Sequence, residues 1–182
     1  GALYSGTQDI NYYKEAEQLQ RALGLIKMPE RIEAFDISNI FGNQSAGSMV
    51  SFLNGKPDKN NYRRFRIKGV RGIDDFQMIA EVVRRRYTRL KNEGLSYPDL
   101  ILIGGGKGQL SSACAQLAEL RLDLPIISLA KREEEVFVPN RRAPAVLAKD
   151  SLGLKLLQRV RDEAHRFAVS YHRKLRAKGT FD

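Results

Sequence analysis

Between Pro98 and Leu129 the chain passes twice from a short apolar run to a polar-faced stretch, and this limits its fold more than any other feature. Asp99-Leu100-Ile101-Leu102-Ile103 is almost wholly apolar, the pattern of a strand covered on both faces. Gly104-Gly105-Gly106-Lys107-Gly108 follows, then a helix predicted from about Gln109 to Arg121, then a second buried strand from Pro125 to Leu129. Upstream the period is two. Arg31 to Ile37 alternates, with Ile32, Ala34 and Asp36 on one face and Glu33, Phe35 and Ile37 on the other. Ala46 to Leu53, closed by Asn54-Gly55, and Tyr62 to Val70 read as two more strands. A turn over Asn39 to Gln44, containing Gly42-Asn43, joins the first two, so the three make an antiparallel meander. Helical spacing predicts helices over 8–24, 74–91 and 151–178. The second carries Phe76, Ile79, Ala80, Val83, Tyr87 and Leu90 on its core face. The last carries Leu157, Val160, Ala164, Ala168, Tyr171 and Leu175, with Asp150 placed to N-cap it. Residues 131–148 read as a loop with a short hairpin. The economical sum is an α/β fold: a mixed five-stranded sheet, antiparallel meander plus parallel strands, with helices on both faces.

The chain has 182 residues, the size of one domain. Its single cysteine, Cys114, excludes a disulfide framework within the chain, and with two histidines it excludes a zinc finger. No apolar run reaches the length of a membrane span, so a cytoplasmic protein is expected. A start at Gly1-Ala2-Leu3 without Met is expected of a piece of a longer protein. The net charge of +10 is concentrated: residues 56–91 carry 12 basic against 4 acidic side chains, and residues 151–182 carry 8 against 3. If these segments meet, they form one basic face suited to phosphate backbones. The alternative is two solvated charged surfaces.

Several residues invite a chemical reading. Asp36 stands at an apolar-facing strand position, where a lone carboxylate is costly unless a metal or hydrogen bonds compensate it. It is a metal ligand or general base, or it bonds the turn at Ser38 and Asn39. The glycine run is neither a Walker A loop nor a dinucleotide fingerprint. It binds a phosphate through backbone N–H groups with Lys107, or it is a strand-to-helix turn needing positive φ. Arg161, His165, His172 and Arg176 share a stripe of the last helix. The two histidines are about 10 Å apart by helical rise and cannot share one metal. Arg84-Arg85-Arg86 and Tyr62-Arg63-Arg64 are the densest basic clusters, although three consecutive arginines on a helix point in three directions.

The order of these motifs resembles a known family. Phe35-Asp36-Ile37-Ser38-Asn39, Tyr62-Arg63-Arg64-Phe65, Asp74-Asp75-Phe76, Arg84-Arg85-Arg86-Tyr87, Pro98 to Ile103, Gly105-Gly106-Lys107-Gly108-Gln109-Leu110, Leu129-Ala130-Lys131 and Arg161-Asp162-Glu163-Ala164-His165 together are similar to the C-terminal endonuclease domain of UvrC, the incision subunit of bacterial nucleotide excision repair. The resemblance covers about residues 31–178. It implies a ribonuclease H-like fold and Mg²⁺- or Mn²⁺-dependent hydrolysis of one DNA strand 5′ of a lesion. Residues 1–30 become a linker segment with a helix and residues 31–182 the endonuclease domain. The family's N-terminal nuclease half and C-terminal helix-hairpin-helix module have no counterpart here. The implied partners are damaged DNA and UvrB, with the chain a monomer. Carried over by position, the catalytic set is Asp36, which would also hold the metal, His165 and, in a less defined role, Asp75. The family's second strand-end aspartate falls where this sequence has Gly104. Hard divalent ions prefer carboxylate oxygens, so glycine there is expected to disable the site. Lys107, Arg84, Arg86, Arg63 and Lys131 are the expected DNA-backbone contacts. A rival reading makes the domain a non-catalytic module that docks DNA or a partner protein. A nucleotide-binding enzyme is a third.

Overall fold

The computed structural model describes the backbone of residues 2–40, 44–69 and 74–178, with side chains described for 12–39, 45–69 and 74–170. Its elements are α1 (Ala2–Leu23), β1 (Arg31–Ile40), β2 (Gln44–Leu53), β3 (Lys56–Pro57), a single 3-10 turn (Lys59–Asn61), β4 (Arg63–Arg66), α2 (Asp75–Glu93), β5 (Leu100–Gly104), α3 (Lys107–Glu119), β6 (Ile126–Leu129), β7 (Val136–Phe137) and α4 (Leu152–Lys178). The strands form one sheet in the order β3-β2-β1-β5-β6-β7, with β4 also paired to β2. β1, β5 and β6 are parallel and the remaining pairs antiparallel. The five longer strands are those expected from the hydrophobic pattern. Two two-residue strands, β3 and β7, extend the sheet. β7 belongs to the hairpin expected in the 131–148 loop, closed by a bridge between Val136 and Ala145. The turn expected at Gly42-Asn43 lies outside the described residues, and the third strand, expected over Tyr62 to Val70, spans only Arg63–Arg66, with 67–69 outside the sheet ladder.

The alternation of β1 separates two cores. Ile32 and Ala34 pack with Leu19 of α1 and with Leu156, Leu157, Val160 and Ala164 of α4. Phe35 packs on the opposite side with Ile79, Val83 and Tyr87 of α2 and Leu110 and Ala113 of α3. The apolar runs of β5 and β6 are buried because helices cover both faces. α1 belongs to this core, burying Ala16, Leu19 and Leu23.

Helix ends follow local chemistry. Asp74 caps α2, its carboxylate accepting from the Gln77 N–H at 3.1 Å. Gly94 ends that helix at φ 65°, donating to Leu90 and Lys91. The cap of α4 is not Asp150 but Ser151, whose Oγ accepts from the Leu154 N–H at 3.1 Å. Gln18 of α1 supplies a second acceptor, taking the Leu152 N–H at 2.9 Å. These two side chains satisfy amides of the first turn, and Asp150 stays exposed.

Two expectations about α2 fail. Arg86 is not a DNA contact, because it is 4% exposed and turned into the core. Its Nη2 lies 2.8 Å from Glu33 Oε2 and its Nε donates to Oε1 at 3.3 Å. Arg31 Nη2 at 2.6 Å and the Tyr87 hydroxyl at 2.8 Å complete the shell of this fully buried carboxylate. Burial alone would raise the Glu33 pKa, but the Arg86 and Arg31 guanidiniums outweigh it and hold the group below the usual carboxylate range. Phe76, expected in the core, is 50% exposed, its ring laid over the backbone of Gly108. A Cβ at residue 108 would come within 2.3 Å of that ring, so glycine permits the contact.

Candidate active site

The parallel pairing of β1 with β5 runs from Ile32 opposite Leu100 to Phe35 opposite Ile103. One residue on, Asp36 and Gly104 meet at the carboxyl end of β5, where open α/β sheets place their sites. Asp36 shares the face of Ile32 and Ala34, beneath α4. A Cβ built on Gly104 would lie 3.5 Å from Asp36 Oδ1 and 3.3 Å from the Phe35 carbonyl. A side chain at position 104 would thus start in van der Waals contact with the Asp36 carboxylate, provided that the Phe35 carbonyl gives by a few tenths of an ångström. α4 crosses this point and brings His165 Nδ1 to 3.5 Å from Asp36 Oδ2. The imidazole is 57% exposed and the Asp36 side chain 15%.

Two cavities, each of about 260 Å³, flank the Asp36–Gly104 seam. One lies under α4 between Asp36, Lys131, Arg161 and His165. The other lies toward α2 and α3, between Asp36, Asp75, Gly105 and Gln109. Asp36, Gly104 and Lys131 line both. Asp75, on the first turn of α2, is thus brought to the second cavity. Between β5 and α3 the chain turns at Gly105, whose φ of +140° suits glycine. Gly106 donates its N–H to Gln109 Oε1 at 3.0 Å, closing the turn.

The basic candidates disperse. Lys131 is exposed at the seam. Lys107 is exposed at the start of α3, its ammonium bonded to the Arg142 carbonyl. Arg84 is exposed on α2. Arg63 pairs with Met49, which pairs with Phe35, so it lies on the sheet face away from Asp36 and bonds the Asn60 and Tyr62 carbonyls. The neighbouring Arg64 takes the face of Asp36: it lies 3.9 Å over the Phe167 ring of α4 and bonds Ser170 Oγ at 3.0 Å. His172 and Arg176 lie beyond the described side chains.

Three residues at the site escaped the sequence reading as site residues. Gln109 had a signal, its place three residues after the glycine that starts α3. Arg64 had one in strand parity. Arg161 had one in the helical stripe it shares with His165; Asp162 at 3.1 Å and Glu134, from the irregular segment after β6, at 3.6 Å hold it. α4 is steadied nearby by Tyr62, whose hydroxyl donates to Glu163 Oε2 at 2.6 Å. Burial and that carboxylate push the phenol pKa up, while hydrogen bonding to Arg166 holds Glu163 below its ordinary value.

A family model for the UvrC RNase H endonuclease domain matches residues 20–169. The chain belongs to this family. The UvrABC system protein C of Methanosarcina mazei is 56% identical over 165 residues, covering 91% of this chain and 32% of the relative. That of Prosthecochloris aestuarii is 52% identical over 164 residues, covering 90% of this chain and 27% of the relative. The chain thus spans about a third or less of the length of these relatives. Among solved structures, a DNA complex of Ciona intestinalis endonuclease V superposes with a TM-score of 0.53 over 96% of this chain and 97% of that one. At 12% identity this likeness is one of fold, and the fold is ribonuclease H-like.

Proposed function

We propose that this chain is the domain that cuts one DNA strand on the 5′ side of a lesion in nucleotide excision repair, and that Gly104 disables it. The observation that carries the reading is the seam itself. Asp36 sits on β1 just past the end of its pairing with β5, with a histidine at 3.5 Å, and β5 ends in a position whose Cβ would lie 3.5 Å from the Asp36 carboxylate. A carboxylate at residue 104 would stand beside that of Asp36, and two carboxylates so close favour a cation between them. The reaction class calls for Mg²⁺ or Mn²⁺, which would polarise the phosphate and acidify an attacking water. The residues present do not fit such an ion: no group of three His, Cys, Asp or Glu side chains converges among the described residues. Hard dications take six or more oxygens, and one carboxylate beside an imidazole is too poor a seat.

The chain's own groups have roles that need no ion. His165 Nδ1 stands 3.5 Å from Asp36 Oδ2, which places the imidazole at the seam for proton transfer. Lys131 reaches both cavities and would hold a strand laid across the seam. Residues 31–182 carry the nuclease site, and α1, within residues 1–30, packs into the same core. The chain acts as a monomer on damaged DNA beside UvrB, in the cytoplasm; among the described residues no helix is long and apolar enough to cross a membrane. The rival reading, a docking module without catalysis, draws on Gly104 alone.

A nicking assay on supercoiled plasmid with Mg²⁺ or Mn²⁺ tests the proposal. Gly104→Asp should nick, the parent chain should not, and Asp36→Ala added to Gly104→Asp should abolish nicking. Equal nicking by the parent and Gly104→Asp would remove residue 104 from the site. A folded, DNA-binding Gly104→Asp chain that never nicks would favour the docking module.

A further inference from the structure

Away from the seam, the start of α3 and the turn at 139–142 enclose a cavity of about 580 Å³. Its floor is apolar, made by Leu110, Val138 and Pro139, with Cys114 half-buried beside them. Lys107, Arg141 and Arg142 stand at its rim, all three exposed. No Asp or Glu lines it. Among the described residues, none of these three cations forms a salt bridge, and Lys107 is bonded to a neutral carbonyl, so their charge is not cancelled. The turn is pre-shaped. Ala145 donates to the Val136 carbonyl at 2.7 Å, Asn140 adopts φ 65°, and the Lys107–Arg142 bond ties the turn to α3.

We propose that this cavity is a subsite for an unpaired nucleotide of the DNA strand that crosses the Asp36–Gly104 seam. The proposal rests on the nuclease reading for the course of that strand. Three charges without a counter-ion suit phosphates, and an apolar floor suits the face of a base, which a duplex would keep stacked. Single strands are usually held by a cationic groove with aromatic platforms for the bases; here the aliphatic surface of Leu110, Val138 and Pro139 takes the platform's place. The cavity is also within reach of the seam. Lys107 follows Gly104 by three residues, at most about 11 Å of chain, or roughly three nucleotide rises along one strand. An acidic peptide would use the three cations but has no need of the apolar floor.

The test uses the 182-residue chain, Arg141→Gln/Arg142→Gln, and Lys131→Ala, titrated with fluorescein-labelled oligothymidylate across a salt series. Cys114, the only cysteine, reports occupancy of the floor through its rate of maleimide alkylation. Removing two phosphate contacts should flatten the log–log salt slope by about 1.4 and weaken binding about 25-fold at 0.1 M salt. Oligothymidylate should slow alkylation of Cys114 in the parent chain and not in the double variant. The proposal fails if the double variant binds like the parent, or if bound DNA leaves Cys114 alkylation unchanged. It fails too if polyglutamate protects Cys114 as well as DNA does. Loss of binding in Lys131→Ala alone would refute the subsite and keep the seam reading. Unchanged binding in both variants would refute both.

Discussion

Replacing Arg86 by methionine distinguishes a core ion pair from a DNA contact. In the folded chain Glu33 is fully buried and shares its two oxygens among Arg86, Arg31 and the Tyr87 hydroxyl. Arg86→Met removes the only cation buried with it and leaves Arg31, whose side chain is 22% exposed. Breaking a buried pair from one side costs about 3–5 kcal/mol, because the remaining charge keeps its desolvation penalty. At roughly 2–4 °C per kcal/mol for a domain of this size, Tm should fall by about 6–20 °C. Urea titration gives the same quantity as a lower midpoint at unchanged slope. Oligonucleotide binding by the folded fraction should keep its salt dependence, since no phosphate contact is lost. Arg84→Ala, at an exposed position two residues away, should leave Tm within about 1 °C. A small change in Tm for Arg86→Met, together with a flatter salt slope, would refute the burial argument and return Arg86 to the DNA-binding face.

The same carboxylate predicts an acid limb. The folded-state pKa of Glu33 lies below its unfolded value, so its contribution is complete above the ordinary carboxyl value near pH 4.3 and is lost as pH falls through the folded value. Glu33→Gln should lower stability at pH 7 and flatten the fall between about pH 5 and 3 in urea midpoints. Ser151→Ala removes the cap of α4 and should cost about 1 kcal/mol by urea denaturation, whereas Asp150→Ala should cost a few tenths at most. Gly108→Ala would push aside the tip of the half-exposed Phe76 ring, and with Ala favoured over Gly in α3 the net change by urea denaturation should stay within about 1 kcal/mol.

The architecture was legible because hydrophobic period reports burial directly. β5 and β6 read as apolar runs since helices cover both their faces, and β1 alternated because its two faces meet different cores. What failed depended on contacts distant in sequence. The Arg84-Arg85-Arg86 cluster looked uniformly basic, and nothing local marks the third arginine as the partner of a carboxylate 53 residues earlier. Phe76 kept helical phase with Ile79 and Val83, yet it lies on the first turn of α2, where the core gives way to the exposed start of α3. The true cap of α4 was missed by one residue, within the usual fraying of helix ends. At the seam, the sequence separated Asp36, Gly104 and His165 by more than sixty positions at each step; the parallel β1–β5 register and the crossing of α4 bring them together. Arg64 rather than Arg63 faces α4 because side chains alternate along β4; the alternation is legible in the sequence, but which parity meets α4 is fixed by the register.

The central claim is that a carboxylate at residue 104, which Gly104 lacks, would complete with Asp36 the seat for a divalent ion, and calorimetric titration with Mn²⁺ tests it most directly. Gly104→Asp should show saturable binding that disappears when Asp36→Ala is added, and the parent chain should show none. Equal Mn²⁺ binding by the parent chain and Gly104→Asp, or no binding by a folded Gly104→Asp chain, would contradict the account.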